Sequence, residues 1–396
     1  MTETRTAIVV GGGIAGPVAA LALRRAGIEA TVYESHADTA DGVGAALSVA
    51  PNGRAALDLV GLGRVGEPMN AIVLQNHRGR TVAEIRQPMQ FSWRADLYRR
   101  LHDLAAAAGI QVRYGRRLVD VEEGPTGIRA VFADGSVSAE ADVLIGADGI
   151  RSTVRRLIDP AAPRPRYSGL LGFGARVEGA ELPATGDRMY MAFGSRAFLG
   201  WQSFPDGSAA WFVNLPHPYA DWEEIRRTSG EEWMRRLAAV FEGDDLPARE
   251  LLRLTAPGDL VVAGPMEDLP HVPRWHRGRM VLVGDSVHAT SPSSGQGASL
   301  AAESAVELAR ALRDLPHSRA FAAYERTRRA RVEKIIAEGH RTNSGKVAGP
   351  VGRVVRDAVL PLVARLETPA RTAWRYGHRI DWEAPVEDAR AGAGAG

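Results

Sequence analysis

The feature that most restricts what this chain can fold into is the run Gly11-Gly12-Gly13-Ile14-Ala15-Gly16, read with its neighbours. A β-branched segment, Thr6-Ala7-Ile8-Val9-Val10, precedes it, and an alanine- and leucine-rich stretch with helical spacing, Pro17 to Arg25, follows. Gly27 ends that helix, and Ala30-Thr31-Val32-Tyr33 reads as a second strand closing on Glu34. Together these make a βαβ unit. Gly11 permits the sharp bend after the strand, Gly13 the close approach of a diphosphate to the backbone, and Gly16 the packing of helix on strand. Ile14 and Ala15 open the helix, whose free N–H groups and positive dipole end would hold the diphosphate.

Glu34 follows at roughly the 20-residue distance at which an acidic side chain reaches the ribose hydroxyls of an adenosine. A carboxylate there disfavours the 2′-phosphate of NADP in this particular site, but the turn alone does not separate FAD from NAD.

At 396 residues the chain is long for one core and comfortable for two. Lys and Arg number 49 against 47 Asp and Glu, an excess too small to argue for nucleic acid as a partner. The basic run Arg326 to Arg331 lies in a helix-like stretch with Glu325 and Glu333 and reads as a solvated helix face. No cysteine is present, which excludes disulfides, thiolate zinc sites and iron–sulfur clusters. The histidines show no metal-ligand spacing, so no metal is expected. Glycines interrupt the apolar segment Ala7 to Leu23, so neither a leader nor a membrane anchor is expected and the cytoplasm is the expected location.

Further strands are predicted at 111–114, 127–132, 143–145 and 280–283, with helices at 94–108 and 297–313. Between about Tyr167 and Leu215 the pattern changes to alternating segments such as Arg188 to Phe193 and Ala209 to Val213, separated by Gly- or Pro-rich turns. That pattern predicts an antiparallel sheet inserted into an α/β cofactor domain. The tail Ala389 to Gly396 is expected to be mobile.

Four segments carry a family resemblance. They are Gly44-Ala45-Ala46-Leu47-Ser48-Val49-Ala50-Pro51-Asn52-Gly53, Arg94-Ala95-Asp96-Leu97-Tyr98-Arg99-Arg100-Leu101, Gly146-Ala147-Asp148-Gly149-Ile150-Arg151-Ser152-Thr153-Val154-Arg155, and Gly284-Asp285-Ser286-Val287-His288 continuing through Pro292 to Gly297. In this order they resemble the signatures of the single-component flavoprotein monooxygenases. That family includes p-hydroxybenzoate, salicylate and urate hydroxylases and the tetracycline-inactivating enzymes.

The resemblance implies a Rossmann-like FAD-binding domain of the p-hydroxybenzoate hydroxylase type (1–70, 92–165 and 255–338). It further implies an inserted substrate domain (71–91 and 166–254) and a C-terminal helical segment (339–388). FAD would be held by Gly11, Gly13, Ile14, Ala15, Gly16, Glu34, Arg94, Asp148, Asp285, Pro292, Gly295, Gly297 and Ala298. Asp285 closes an apolar strand, where its carboxylate can accept from a ribityl chain. Gly295-Gln296-Gly297 opens a helix whose N–H groups would face the isoalloxazine edge.

The implied reaction takes electrons from NADPH or NADH and hydroxylates a small aromatic substrate with O₂ through a flavin C4a-hydroperoxide. Ketone oxygenation, epoxidation and dehydrogenation run on the same scaffold, and the chain is expected as a monomer or homodimer.

Substrate contacts are expected from the inserted sheet, at Met191, Trp201 and Trp211, and at Arg196, which urate-hydroxylase-like members would use to hold an anionic or carbonyl-bearing ring. No catalytic base can be nominated, and His288 reads as a packing residue. Ser299 and Ser304 stand where the family often has Asn and Asp.

Overall fold

The computed structural model describes residues 3–37, 46–344, 346 and 349–387. Gly44 and Ala45 of the first family segment, and the tail 389–396, lie outside these residues.

The strand Thr6–Val10 is the centre of a six-stranded sheet. It is paired in parallel with Glu29–Tyr33 on one side and Val143–Gly146 on the other, with Val9 level with both Val32 and Ile145. Ile8, Val9 and Val10 are all buried in one core with helix Ala15–Arg25 and the strand pair Leu118–Glu123 and Ile128–Phe132, and a strand buried on both faces reads as a continuous apolar run. Met280–Leu282 and Gln111–Arg113 extend the sheet in parallel, and only the short edge strand His276–Arg277 runs antiparallel. Helix Ala15–Arg25 packs on helix Gly297–Asp314, and both share one core with the sheet.

An eight-stranded sheet forms the second layer. Its order runs Val261–Asp268, Arg166–Val177, Ala209–Pro216, Phe198–Ser203, Arg188–Phe193, Glu67–Asn76, Thr81–Trp93 and Ala46–Val49. The expectation of an antiparallel sheet needs correction at one place, since Arg188–Phe193 runs parallel to Glu67–Asn76. Those two strands come from distant parts of the chain, so no tight hairpin dictates their direction. Two edge strands, 46–49 and 261–268, come from stretches the sequence assigned to the cofactor half.

One face of this sheet is covered by helices Trp222–Arg227, Gly230–Val240 and Ala248–Leu254. The other carries a smaller apolar cluster that includes Met69, Met89, Phe91 and Met189. The C-terminal part is helical, at His317–Ser344, Pro350–Leu366 and Pro369–Tyr376. Among the described residues no helix is long and apolar enough to cross a membrane.

Candidate active site

The first turn is shaped by three glycines under different constraints. Gly11 has φ of 107°, and a Cβ on it would lie 2.3 Å from the Ala147 carbonyl oxygen. A Cβ on Gly16 would lie 1.9 Å from the Gly11 oxygen, so strand and helix meet with no room for a side chain. Gly13 is the opposite case, because a Cβ there would meet nothing within 4 Å. It faces open space at the start of helix Ala15–Arg25, where Gly13, Ile14 and Ala15 present their backbone.

Glu34 stands at the carboxyl end of the neighbouring strand, buried beside this turn. Its Oε2 accepts from the Gly12 N–H at 2.6 Å, and its Oε1 accepts from the His36 N–H at 2.8 Å and the Ser35 hydroxyl at 3.0 Å. Burial pushes its carboxyl pKa up, but these bonds and the His36 ring outweigh it and hold the pKa below the ordinary value. Glu34 is therefore ionised, and Oε2, which accepts from Gly12 alone, keeps lone-pair capacity for a ribose hydroxyl.

The Gly12 carbonyl is held from the other side by His102, whose Nε2 lies 2.7 Å away. Nε2 donates there, and Nδ1 is hydrogen-bonded to the Tyr114 hydroxyl at 2.9 Å. His102 lies two turns beyond Arg94 on helix Arg94–Ala107, and its part escaped the sequence, where a helical His has no distinguishing pattern.

The two later motifs are joined to this turn and to each other. The Ala147 N–H donates to the Val10 carbonyl and the Val283 N–H to the Gly146 carbonyl. Gly284, at φ 63°, lies under helix Ala15–Arg25, where a Cβ would come 2.8 Å from that of Ala15. Arg155 is buried and donates to the carbonyls of Ser286 at 2.8 Å and Ile150 at 2.6 Å, stitching one segment to the other. Asp148 lies in the groove wall beside Gly11, but its carboxylate turns to the helix Thr153–Ile158. There it accepts from the Ser152 hydroxyl at 2.5 Å and the Thr153 N–H at 2.7 Å.

Asp285 and Arg94 stand near enough for their charges to interact. Asp285 is open to solvent, yet protein crowds it closely enough to push its carboxyl pKa up, and the nearby Arg94 charge offsets this in part. Accessibility with crowding marks a side chain in a cleft. Neither forms a hydrogen bond to another described residue.

Beyond them, Pro292–Ser294 makes one 3₁₀ turn, and Gly295 takes the left-handed conformation at φ 61° that only glycine adopts at low cost. Helix Gly297–Asp314 then starts with Gly297 and Ala298 half-buried and a nearly empty space beside Gly297.

A buried ionic cluster underlies this loop. Asn52 donates to Gln296 Oε1 at 3.0 Å and Glu303 Oε1 at 2.6 Å. Glu303 pairs with Arg328 at 2.5 Å and Arg331 at 2.9 Å. Burial raises the Glu303 pKa, but the two arginines dominate and bring it to about 2.

The two serines that depart from the family pattern have structural partners. Ser299 Oγ accepts from the Ala50 N–H at 3.0 Å. Ser304 Oγ accepts from Arg328 Nε at 3.2 Å and donates to His288 Nε2 at 2.8 Å. Burial and the Arg328 charge depress the His288 pKa to about 3, so its ring stays neutral and is no base near neutrality.

The sheet residues divide by register. Met191, Gly200 and Phe212 are level across three strands, which puts Met191 and Phe212 on the less covered face with Met189, Met89 and Phe91. Trp201 and Trp211 are level with each other, one residue out of step, and belong to the core under the helices. Trp211 Nε1 donates to Thr255 Oγ1 at 3.0 Å. Arg196 is exposed and donates to the carbonyls of Ala239 and Val240, at 2.5 and 3.2 Å, at the end of helix Gly230–Val240. The structure thus brings Met191 to the less covered face and does not bring Arg196, Trp201 or Trp211 there.

The profile of the FAD binding domain family matches residues 3–338. The chain belongs to that family. It is 31% identical over 353 residues to an FAD-dependent urate hydroxylase of Klebsiella pneumoniae, covering 85% of this chain and 88% of that protein. It is 32% identical over 400 residues to a 3-amino-4-hydroxybenzoate 2-monooxygenase of Streptomyces platensis, covering 93% and 95%. The crystal structure of Klebsiella pneumoniae HpxO with FAD and uric acid superposes with a TM-score of 0.81 at 27% identity, covering 93% of this chain and 94% of that one. The chain is accordingly an FAD-dependent monooxygenase of the single-component aromatic hydroxylase family.

The groove of this flavoenzyme suits FAD on three local observations. Open space beside Gly13 has room for a diphosphate. Arg94 and Asp285, close enough for their charges to interact, have no hydrogen-bond partner among the described residues, and phosphate and polyol would satisfy them. The helix start at Gly297 leaves backbone free for a flat ring edge.

Proposed function

We propose that this flavoenzyme hydroxylates an electron-rich aromatic small molecule, with NADPH or NADH as electron donor. In balance, a ring C–H, O₂, NAD(P)H and a proton give ring C–OH, NAD(P)⁺ and water. The observation that carries this reading is that an apolar sheet face, bearing Met89, Met189, Met191 and Phe212, meets the loop that opens helix Gly297–Asp314, where a Cβ on Gly295 would lie 3.3 Å from the Met89 methyl. The relatives' names support it: urate and 3-amino-4-hydroxybenzoate are electron-rich rings, and a 2-heptyl-3-hydroxy-4(1H)-quinolone synthase of Pseudomonas aeruginosa is also 31% identical.

Bound FAD supplies the redox chemistry, accepting electrons from the nicotinamide and activating O₂. The residues of the chain do the rest. Gly13, Ile14 and Ala15 cradle the diphosphate, Glu34 the ribose, and Arg94 and Asp285 the linking chain. The backbone N–H groups at Gly297 and Ala298 place positive dipole against the pyrimidine edge and favour the negative charge that reduction brings. The apolar face excludes water and holds the target ring flat. FAD contacts at Pro292 and Gly295 belong to the same reading, as do the three-part domain division, a cytoplasmic location and a monomeric or homodimeric state.

The test is to purify the protein, record the flavin spectrum, and follow NADPH and NADH oxidation and product formation with phenols, polyketide aromatics and purines. A ligand-stimulated nicotinamide oxidation that yields a hydroxylated ring is the expected outcome. Ligand-stimulated oxidation that yields only an ester, an epoxide or a desaturated product overturns the hydroxylation reading.

A further inference from the structure

Just past helix His317–Ser344, the side chain of Lys346 enters the space between the loop Pro292–Ser294 and the eight-stranded sheet. Its ammonium donates to Asn214 Oδ1 on the sheet and, at 2.5 Å, to Ser293 Oγ on the loop. It also lies 4.5 Å from the centre of the Phe198 ring. Asn214 is level with Phe198 and alternates with Phe212 and Ala210, so it shares their face of the sheet. Ser293 belongs to the turn that leads into Gly297. The ammonium therefore spans the two surfaces between which the aromatic ring is proposed to lie.

The charge of this group is out of balance. Lys346 is only 4% exposed, and both its acceptors are neutral oxygens. Among the described residues it forms no ion pair with a carboxylate. Burying an ammonium without a counter-ion is expensive, and native proteins seldom do so without a ligand or partner to balance it. Among the described residues, two of its three N–H donors find oxygen acceptors. Arg196, by contrast, is tied to the carbonyls at the end of helix Gly230–Val240.

We propose that Lys346 is the anion anchor of the substrate site: the aromatic substrate carries an ionised oxygen, as carboxylate, phenolate or enolate, that pairs with the Lys346 ammonium beside Asn214 and Ser293. The assignment rests on the reading that this sheet face holds the ring. Where that oxygen is a phenolate or enolate, it also feeds electron density to the carbon that is oxygenated.

Burial alone pushes the Lys346 pKa down to about 7, and the groups packed on it, Asn214, Ser293 and Phe198, do not titrate. The free site is therefore cationic below about pH 7 and loses its charge above it. Anion affinity of the free enzyme falls as pH rises through that value, and a bound anion raises the lysine pKa in return.

The experiment uses oxidised holoenzyme without nicotinamide, titrated with two matched pairs, benzoate against benzamide and pentafluorophenolate against pentafluoroanisole. Binding is read from flavin difference spectra. At about pH 6 at least one anion should bind roughly tenfold more tightly than its neutral partner, a ratio worth about 1.4 kcal/mol. The pair that shows it tells carboxylate from phenolate. The preference should fade toward about pH 9 as the lysine deprotonates. Lys346→Met should abolish it while the neutral ligands bind as before. Asn214→Asp, which keeps the lysine and gives it an internal counter-ion, should abolish it as well.

Equal or undetectable binding of anion and neutral partner in the native enzyme overturns the proposal, and so does a preference that survives Lys346→Met. No turnover enters these measurements. Failure of the hydroxylation reading would instead appear as an intact anion preference with no hydroxylated product.

Discussion

The cofactor groove lies at the strand ends of one sheet and the apolar surface on a face of the other, and the residues that define them are constrained in different ways. In the groove the deciding contacts are backbone against backbone. A Cβ at Gly16 would sit 1.9 Å from the Gly11 oxygen, and one at Gly11 would sit 2.3 Å from the Ala147 oxygen. On the sheet face the deciding quantity is register, since Trp211 and Phe212 are neighbours in sequence and face opposite cores. Steric exclusion tolerates one residue type and leaves a mark in the sequence. Register tolerates many, and a shift of one residue exchanges the faces.

If backbone sterics hold the groove, the largest effect will come from Gly16→Val. The added side chain has nowhere to go, so the helix must lift from the strand. The variant should purify without flavin and be destabilised by about 3 kcal/mol or more. A yellow protein with full FAD content would end the steric account.

Next in size is the ionic cluster beneath the groove. Arg328→Met leaves Glu303 buried with a single arginine, which should cost about 3–5 kcal/mol in chemical unfolding. The same carboxylate sets an acid limit on the intact protein. Its folded pKa, about 2, lies below its ordinary value of 4.5, so its stabilisation is complete above the unfolded pKa and is lost as pH falls from there toward 2. Arg328→Met should show a shallower loss across that window; an unchanged slope would remove Glu303 as its source.

A polar contact in the groove comes third. Asp285→Ala should leave the melting temperature nearly unchanged, because the side chain bonds to no other described residue, and should weaken FAD roughly tenfold to a hundredfold. Full flavin retention through gel filtration would remove Asp285 from the cofactor contacts.

These expectations follow how legible each region was. The βαβ unit, the glycine turn and the segments at Asp148 and Asp285 were readable because each required a residue type at a fixed place. His102, Tyr114 and Arg155 were not nominated, since a helical His, a strand-end Tyr and a motif-end Arg have many structural uses. Asp148 was readable in position but not in orientation: its carboxylate caps the helix Thr153–Ile158. Lys346 was unreadable, because what singles it out is a missing counter-ion and not a pattern.

On the sheet, the two aromatic neighbours give a paired test with a smaller effect. Trp211→Phe removes the donor to Thr255 and should cost about 1–2 kcal/mol in stability without altering ligand affinity. Phe212→Leu should do the reverse, weakening aromatic ligands severalfold in flavin difference spectra at little cost in melting temperature, because that face is less covered. If the two substitutions affect ligands equally, the assignment of faces by register fails.

The smallest effect is expected at Arg196, and its smallness carries information. From the sequence this arginine was the natural candidate for gripping a charged ring, standing alone in an apolar stretch. Its guanidinium is instead directed to the C-terminal carbonyls of helix Gly230–Val240, where a cation complements the helix dipole. The site is solvent-accessible, so screening keeps the interaction weak. Arg196→Gln should therefore change stability by no more than about 0.5–1 kcal/mol and leave benzoate affinity untouched. A loss of benzoate binding as large as that expected for Lys346→Met would mean that the arginine swings from the helix into the site when a ligand arrives, and the anion would then have two anchors.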